Sequence, residues 1–300
     1  MITFFALPKA FHGHVGLIQR NAIASWCALP GVEVLLLGEE DGLAEVAREL
    51  GARHLPEIRR TSLGTPLVSD AFVRAVAAAH HPRLCYVNAD IILLGDILGA
   101  DIPFPRYLAV GQRTDLDQRE PVDVDAADWQ ERLRRDVAAR GRPHALHAID
   151  YFLFPRAAGV EHMPPFAVGR PGWDNWVLRE TRRRHLPLVD ASAVITAIHQ
   201  DHDYAHVPGG DSKTYEGPEA RDNRRMMGGD VVPYDILDAS HVATPSGVRR
   251  AWSEAHLRRR RERWVEARPW LARPMRAATA AYKLAAPLLR AVGVARRSRT

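Results

Sequence analysis

The chain is organised around one stretch, Leu84-Cys85-Tyr86-Val87-Asn88-Ala89-Asp90-Ile91, in which an apolar run leads straight into a polar triplet. A short continuous apolar run is typical of a strand buried on both faces of a parallel sheet. The triplet then marks the carboxyl end of that strand, where ligands of parallel α/β sheets bind. A carboxylate there must leave the core and face the ligand crevice, so Asp90 is a candidate functional residue.

Strands and helices alternate regularly before this stretch. Continuous apolar runs predict the strands, and apolar residues at helical spacing predict the helices. The predicted strands cover residues 3–7, 32–37 and 53–56, and the predicted helices cover residues 14–26, 41–51 and 69–80. We expect Asp41 to cap the second helix and Gly51 to end it. This alternation predicts a doubly wound, mainly parallel sheet with helices on its faces.

The second half of the chain predicts a mixed arrangement that covers the carboxyl ends of these strands. We expect strands over residues 107–111, 148–154, 186–189 and 194–198, helices over 126–139 and 173–184, and a mobile loop over 214–229. Asp150 interrupts the apolar run of the second of these strands. A sugar-hydroxyl or acceptor contact explains it, as does a hydrogen-bonded structural role.

Length and composition favour one catalytic domain. A chain of 300 residues that is 46% hydrophobic can bury one sizeable core. Cys27 and Cys85 lie in apolar stretches without metal-ligand spacing, so we interpret them as small core residues in a reducing cytoplasm. We find no signal-peptide pattern, and no apolar run approaches the roughly 18 residues of a membrane span.

Charge separates a mildly acidic body, residues 1–248, from a basic tail, residues 249–300. The tail has 14 Arg and one Lys against three Glu, a net charge of +12, which leaves −7 for the body. This distribution argues against nucleic-acid binding by the whole protein. With its tryptophans and the loosely helical, amphipathic spacing of residues 275–294, the tail suits peripheral contact with an anionic membrane. A helix packed on the domain explains the pattern equally well.

Several common enzyme classes lack their motifs in this chain. There is no Gly-x-Gly-x-x-Gly after the first strand, no Gly-x-x-x-x-Gly-Lys-Ser/Thr and no Gly-x-Ser-x-Gly. These absences disfavour a dinucleotide-dependent oxidoreductase, a P-loop enzyme and an α/β-hydrolase.

The segment from Tyr86 to Ile91 resembles the GT-A fold glycosyltransferases, in which a strand ending in Asp-x-Asp presents the metal ligand. Here Asn88 replaces the first Asp. The resemblance implies that Asp90 is the principal ligand of Mn²⁺ or Mg²⁺, which neutralises a leaving diphosphate. Asn88 would accept from a ribose hydroxyl or coordinate weakly. The alternative is a turn in which Asn88 or Asp90 caps the next segment.

Two later segments match that family in chain order. Gly172-Trp173-Asp174-Asn175-Trp176 resembles the acidic motif near the acceptor, which makes Asp174 the candidate general base and Trp173 an acceptor contact. The alternative for Asp174 is a helix cap.

The second matching segment is rich in histidine. It runs from Ile198 to His206, and the resemblance implies that one of its histidines reaches the metal. His199 and His202 are the candidates, and the pattern does not choose between them. A solvated polar loop is the alternative.

The first loop lies under the nucleotide in that family. The resemblance therefore implies donor contacts from Pro8 and from Lys9, which suits a phosphate. Arg60 and Thr65 precede the helix that leads to Asp90 and are further candidates for the donor pocket.

Together these motifs predict a GT-A-like, Rossmann-type α/β domain with a basic helical C-terminal tail. The expected activity is metal-dependent transfer of a sugar from a nucleoside diphosphate to a hydroxyl acceptor, with inversion if Asp174 is the base. The acceptor would be a glycan, a lipid-linked molecule or a small molecule. We expect a cytoplasmic protein, with peripheral membrane contact through the tail. The alternatives are a sugar-nucleotide nucleotidyltransferase and a catalytically silent GT-A-like scaffold.

Overall fold

A computed structural model of the chain describes residues 1–202, 216–228 and 233–266. Its contacts divide the chain into two units, Met1–Ala251 and Trp252–Thr300.

The first unit contains thirteen strands among its described residues. They are β1 (Ile2–Ala6), β2 (Val32–Leu37), β3 (Arg53–Leu55), β4 (Arg83–Val87), β5 (Ile91–Leu93), β6 (Leu108–Val110), β7 (Thr114–Leu116), β8 (Arg142–Pro143), β9 (Tyr151–Pro155), β10 (Leu188–Asp190), β11 (Ala197–Gln200), β12 (His241–Thr244) and β13 (Gly247–Arg250). Its helices are α1 (Gly13–Cys27), α2 (Leu43–Leu50), α3 (Val68–Ala78), α4 (Trp129–Arg140), α5 (Trp173–Arg183) and α6 (Pro218–Met227).

Nine strands form one mixed sheet in the order β13-β12-β10-β6-β9-β4-β1-β2-β3. The pairings β1–β2, β2–β3, β1–β4, β6–β10 and β10–β12 are parallel, and β9 runs antiparallel between β4 and β6. The chain progresses outward from β1 through β2 to β3 and then returns to place β4 on the other side of β1. Such a reversal of strand order leaves a crevice at the carboxyl ends of β1 and β4.

Alternate side chains of the central strands pack against helices on opposite faces of the sheet. On one face Phe4 and Cys85 join the core formed with α1 and α2, and on the other Phe5 and Tyr86 join α3 and α5. Helices therefore flank the sheet, and the predicted fold class is confirmed.

A second sheet has the order β5-β11-β7-β8. Its apolar residues Ile91, Ile92 and Ile198 are fully buried in the same core as α1. β11 lies between β5, to which it is antiparallel, and β7, to which it is parallel. This small sheet brings the segment that follows Asp90 next to the segment that carries His199.

Two predictions about helices are wrong. Asp41 does not cap α2: the N-cap is Gly42, whose φ of 80° favours glycine, while Asp41 forms an exposed ion pair with His12. The loop predicted over residues 214–229 contains α6 instead, with Pro218 in its first turn and Gly228 at its C-cap. The predicted end of α2 is correct, since Gly51 is its C-cap.

The described part of the second unit contains α7 (Glu254–Glu266), a strongly basic helix. The predicted amphipathic segment over residues 275–294 lies outside the described residues. Among the residues that the structure describes, no helix is both long and apolar enough to cross a membrane.

Candidate active site

A cleft of about 660 Å³ lies where the strand order reverses. Its walls include most of the residues singled out from the sequence. These are Pro8, Lys9, Asn88, Asp90, Asp150, Trp173, Asp174, His199 and His202. Arg60 and Thr65 are not among its lining residues.

Asp90, His199 and His202 form a group suited to a metal ion. Their ligand atoms all lie within 4.8 Å of one another. Oδ2 of Asp90 is 3.3 Å from Nε2 of His202 and 3.9 Å from Nε2 of His199. Oδ1 of Asp90 is buried and makes no hydrogen bond among the described residues. One carboxylate and two imidazoles fit a divalent transition ion such as Mn²⁺ better than Mg²⁺, which prefers oxygen ligands.

The charge states of these residues also suit metal binding. Burial alone would raise the pKa of Asp90, but the hydrogen bond from His202 and the charge that each histidine carries when protonated hold it below its usual value. Burial lowers the pKa of His199, although the charge of Asp90 opposes this. A charged carboxylate therefore faces a histidine whose burial favours the neutral form, which is the form that binds metals.

Backbone pairing sets the positions of Asp90 and His199. His199 lies within β11, opposite Ile91 of β5, so the expectation that it follows the strand is wrong. The N–H of Gln200 donates to the carbonyl of Asp90 at 3.2 Å. The buried amide of Gln200 also donates to the carbonyl of Ile18 in α1. Asp90 and His199 are thus held by the sheet rather than by a free loop.

Asn88 and Asp150 form the neighbouring wall of the cleft. Nδ2 of Asn88 donates to Oδ1 of Asp150 at 2.7 Å, and Nη1 of Arg113 donates to Oδ2 of Asp150 at 2.9 Å. Asp150 precedes β9 instead of interrupting a strand, because β9 begins at Tyr151. Its carboxylate therefore has a hydrogen-bonding role whether or not an acceptor also reaches it.

Asp174 lies in the first turn of α5, after Gly172 at φ 103°. Burial raises its pKa to about 7, assisted by the charge of Asp150 and opposed by backbone N–H groups at the start of the helix. A carboxyl that titrates near neutral pH is well matched to general-base catalysis.

Trp173, the other residue predicted from this motif, is 6% exposed and packs in an aromatic cluster. Its ring centroid lies 5.2 Å from Tyr86 and 5.0 Å from Phe152. Trp173 also lines the cleft, and its predicted contact with an acceptor remains a prediction.

The loop after β1 is fixed by α1. The buried side chain of Gln19 accepts from the N–H of Lys9 at 2.6 Å and donates to the carbonyl of Lys9 at 2.9 Å. The charge of Lys9 also contributes to the lowered pKa of Asp90. Gln19 therefore holds the main chain of the predicted donor loop against the cleft.

The other two predicted donor contacts, Arg60 and Thr65, bond to other side chains of the protein. Arg60 pairs with Glu40, a lining residue, at 3.0 Å. The hydroxyl of Thr65 donates to Glu219 at 2.8 Å. Their predicted contact with a donor remains a prediction.

Sequence reasoning missed a polar cluster formed by Arg113, Asp115 and His144. Oδ1 of Asp115 is 3.1 Å from Nε of Arg113, and Oδ2 is 2.6 Å from Nδ1 of His144. Asp115 belongs to the three-residue strand β7, whose only sequence signal is one buried apolar residue, Leu116. Nothing local in the sequence indicates that this strand pairs with β11.

No family model matches the chain, and no curated protein matches it. Solved structures similar to it include glucosyl-3-phosphoglycerate synthase from Mycobacterium tuberculosis in complex with Mg²⁺ and uridine diphosphate. That structure is 15% identical with a TM-score of 0.42, over 77% of this chain and 80% of that chain. The same enzyme with Mn²⁺, uridine-diphosphate-glucose and phosphoglyceric acid is 14% identical with a TM-score of 0.44, over 77% and 81%. At these identities and TM-scores, the substrates of those proteins do not transfer to this chain.

Proposed function

We propose that the chain is a metal-dependent glycosyltransferase that moves a sugar from a nucleoside diphosphate donor to a hydroxyl acceptor. One observation carries the proposal: the cleft at the reversal of strand order contains both a group of three potential metal ligands and, at Asp174, a carboxyl with a pKa raised to about 7. Glycosyl transfer needs a charge-neutralising group for the departing diphosphate and a base for the attacking hydroxyl.

The two groups have separate roles in this proposal. A divalent ion held by Asp90, His199 and His202 would neutralise the diphosphate as it leaves. The main chain of Lys9, fixed by Gln19, borders the donor side of the cleft. Asp174 removes the proton from the acceptor hydroxyl as that oxygen attacks the anomeric carbon, and this role implies inversion.

Donor binding is tested by thermal unfolding with nucleoside diphosphates and their sugar conjugates, in Mn²⁺, Mg²⁺ or EDTA. Uridine diphosphate and uridine-diphosphate-glucose, present in the Mycobacterium tuberculosis structures, are the first probes. A ligand at about 100 times its Kd adds about 2.7 kcal/mol to the unfolding free energy. We expect a rise in Tm that requires the metal.

Asp90→Asn keeps the size of the side chain but removes its charge, so it should abolish the metal-dependent rise. Asp136→Asn is the matched control, because Asp136 lies on α4 with its side chain 45% exposed and should respond like the unaltered protein. Equal responses from both variants would contradict the assignment of Asp90. No response of the unaltered chain to any nucleotide would favour the silent scaffold.

Inversion is tested separately by the product. NMR of the newly formed glycosidic bond should show the anomeric configuration opposite to that of the donor. Retained configuration would exclude Asp174 as the base in a single displacement.

We also propose that α7 contacts an anionic membrane surface. Leu257 and Trp264 are 45% and 48% exposed, and they share the helix with the basic run 258–261. The guanidinium of Arg260 lies 4.9 Å from the ring centroid of Trp252, itself 63% exposed. Exposed tryptophan beside arginine suits the interface of an anionic leaflet.

Cosedimentation with vesicles tests this contact. The chain should bind vesicles containing phosphatidylserine more tightly than phosphatidylcholine vesicles, and replacing Leu257 and Trp264 by Ser should weaken that binding. Equal binding to both vesicle types, or no binding, would exclude the proposal.

A further inference from the structure

His199 belongs to two groups of potential metal ligands at once. Its Nε2 faces Asp90 and His202, whereas its Nδ1 faces Asp115 at 3.1 Å and Asp201 at 4.0 Å. A neutral imidazole carries one N–H and one lone pair, so it can offer only one nitrogen to a cation. Neutral His199 can therefore be a metal ligand in only one of the two groups.

The direct ion pairs of the carboxylates distinguish the two groups. Asp115 already contacts Arg113 and His144, and Asp201 forms an ion pair with Arg142 at 2.5 Å. A cation placed among Asp115, His199 and Asp201 would meet these positive partners. By contrast, Oδ1 of Asp90 is buried and makes no hydrogen bond among the described residues. The group around Asp90 is thus the better site for a cation.

We propose that Asp115 is a positioning residue, which holds the Nδ1 side of His199 so that Nε2 faces Asp90 and His202. Carboxylates commonly support metal-bound histidines in this way, since the acceptor fixes both the tautomer and the ring orientation. The inference rests on the metal site of the proposed function. It concerns metal affinity, whatever sugar is transferred.

Asp115 is better placed for this role than Asp201. It lies directly opposite His199 in the parallel pairing of β7 with β11, so both side chains emerge from the same face of the small sheet. The side chain of Asp115 is 15% exposed, against 28% for that of Asp201. Nδ1 of His199 is buried and makes no hydrogen bond of regular geometry among the described residues, so this close carboxylate is its natural acceptor.

Asp115 is itself held firmly. Arg113 bridges it to Asp150, with its Nε 3.1 Å from Asp115 and its Nη1 2.9 Å from Asp150. Arg113 therefore connects Asp115 to Asp150, the carboxylate that also accepts from Asn88 in the wall of the cleft. This arrangement gives His199 a rigid carboxylate partner with a compensated charge.

The test is Mn²⁺ binding by the full chain, measured by calorimetry and by electron paramagnetic resonance. Asp115→Asn should weaken Mn²⁺ binding by about 10- to 100-fold, the usual effect of losing such a support. The substitution should also reduce the nitrogen modulation of the Mn²⁺ spin echo, because this signal reports imidazole nitrogen bound to Mn²⁺ and His199 would be bound less well. Asp201→Asn is the matched control, because Asp201 also faces Nδ1 of His199 but from 4.0 Å instead of 3.1 Å. It should change the Kd for Mn²⁺ by less than about threefold.

A double-variant comparison separates positioning from general structural support. If Asp115 acts through His199, then Asp115→Asn should cause little further loss of affinity in a His199→Gln chain, because the two effects are not independent. Additive losses would overturn the proposal. An unchanged Kd in Asp115→Asn alone would overturn it as well.

Other outcomes are equally decisive. Two Mn²⁺ ions per unaltered chain, with one lost in both Asp115→Asn and Asp201→Asn, would establish a second metal site and reject the positioning role. If Asp115→Asn does not fold, Asp115→Glu keeps the charge but displaces the oxygens, and an unaltered Kd in that variant would reject the role. An unaltered chain without Mn²⁺ affinity rejects both this inference and the metal site. Weakened Mn²⁺ binding without any nucleotide response would reject only the proposed transferase activity.

Discussion

Asp174→Asn should make the protein more stable while it removes the proposed base. Burial raises the pKa of Asp174 from 3.8 to about 7, so the folded state holds a proton that the unfolded state has released. The unfolding free energy therefore falls as pH rises from about 4 to about 7. A pKa difference of about 3 corresponds to roughly 4 kcal/mol, at 1.36 kcal/mol for each pH unit.

Asn removes this cost, because it keeps a carbonyl oxygen for the backbone N–H groups of α5 but carries no charge. At pH 8 we expect a gain of about 2 to 4 kcal/mol, or a Tm higher by about 4 to 10 °C for a unit of this size. Near pH 4 the gain should disappear, since Asp174 is then protonated in the folded state. Transfer activity should fall by about 10²- to 10⁴-fold, the usual contribution of a general base.

The assay is thermal and urea unfolding between pH 4 and pH 8 in EDTA, so that bound metal does not contribute. Asp128→Asn is the control, because Asp128 also lies at a helix start but has a side chain that is 60% exposed. Its effect should stay within about 0.5 kcal/mol at every pH. A variant at position 174 that is less stable than the unaltered chain at pH 8, or a difference that does not change with pH, would refute the reasoning.

Two further substitutions test the packing around the site. A Cβ at Gly111 would clash with the hydroxyl of Tyr151, so Gly111→Ala should lower the unfolding free energy by about 1 to 3 kcal/mol in urea titrations. Gly99→Ala is the control and should have little effect, because no atom lies within 4 Å of a Cβ built at Gly99. Equal effects of the two substitutions would exclude the predicted clash. Glu219→Gln should destabilise the fold by about 1 to 3 kcal/mol at neutral pH, because Glu219 is buried, accepts two threonine hydroxyls and pairs with Arg170 at 3.0 Å. Burial would raise the pKa of Glu219, but these partners lower it. The charged carboxylate therefore stabilises the fold above pH 4.5, and this stabilisation is lost as pH falls through the lowered pKa. If Glu219→Gln is equally destabilising at acid pH, this account is contradicted.

The central sheet could be predicted because its signals are local. The buried run at β2 matches its predicted bounds, and β4 differs from its prediction only at Arg83. The position of Asp90 follows from the same run. Such strands are buried on both faces, so their apolar residues are continuous and easily recognised.

The small sheet could not be predicted in the same way. The strands β5 and β7 have three residues each, and they become strands only because β11 pairs with both. His199 consequently appeared to lie after a strand when it belongs to one. The contact between Asp115 and His199 could not be predicted for the same reason, since it depends on the register between two distant segments.

The helix α6 was missed for a different reason. Its polar composition indicated a loop, although Pro218, Glu219 and Gly228 provide ordinary start and stop signals. It is held by a buried asparagine, Asn223, whose amide both accepts from the N–H and donates to the carbonyl of Ala167. A hydrophobicity pattern does not reveal a helix that docks through such a polar pair.

The position of β11 between β5 and β7 also bears on the order of folding. Asp90 and His202 are 112 residues apart in the chain, and they meet only after β5 and β11 have paired. Contacts between such distant segments carry a large loop-closure cost and tend to form slowly. We therefore expect the proposed metal ligands to come together late, and an ion that binds them should stabilise the completed fold over the earlier states. The time at which Mn²⁺ affinity appears during refolding would then report when β11 pairs with β5 in the small sheet.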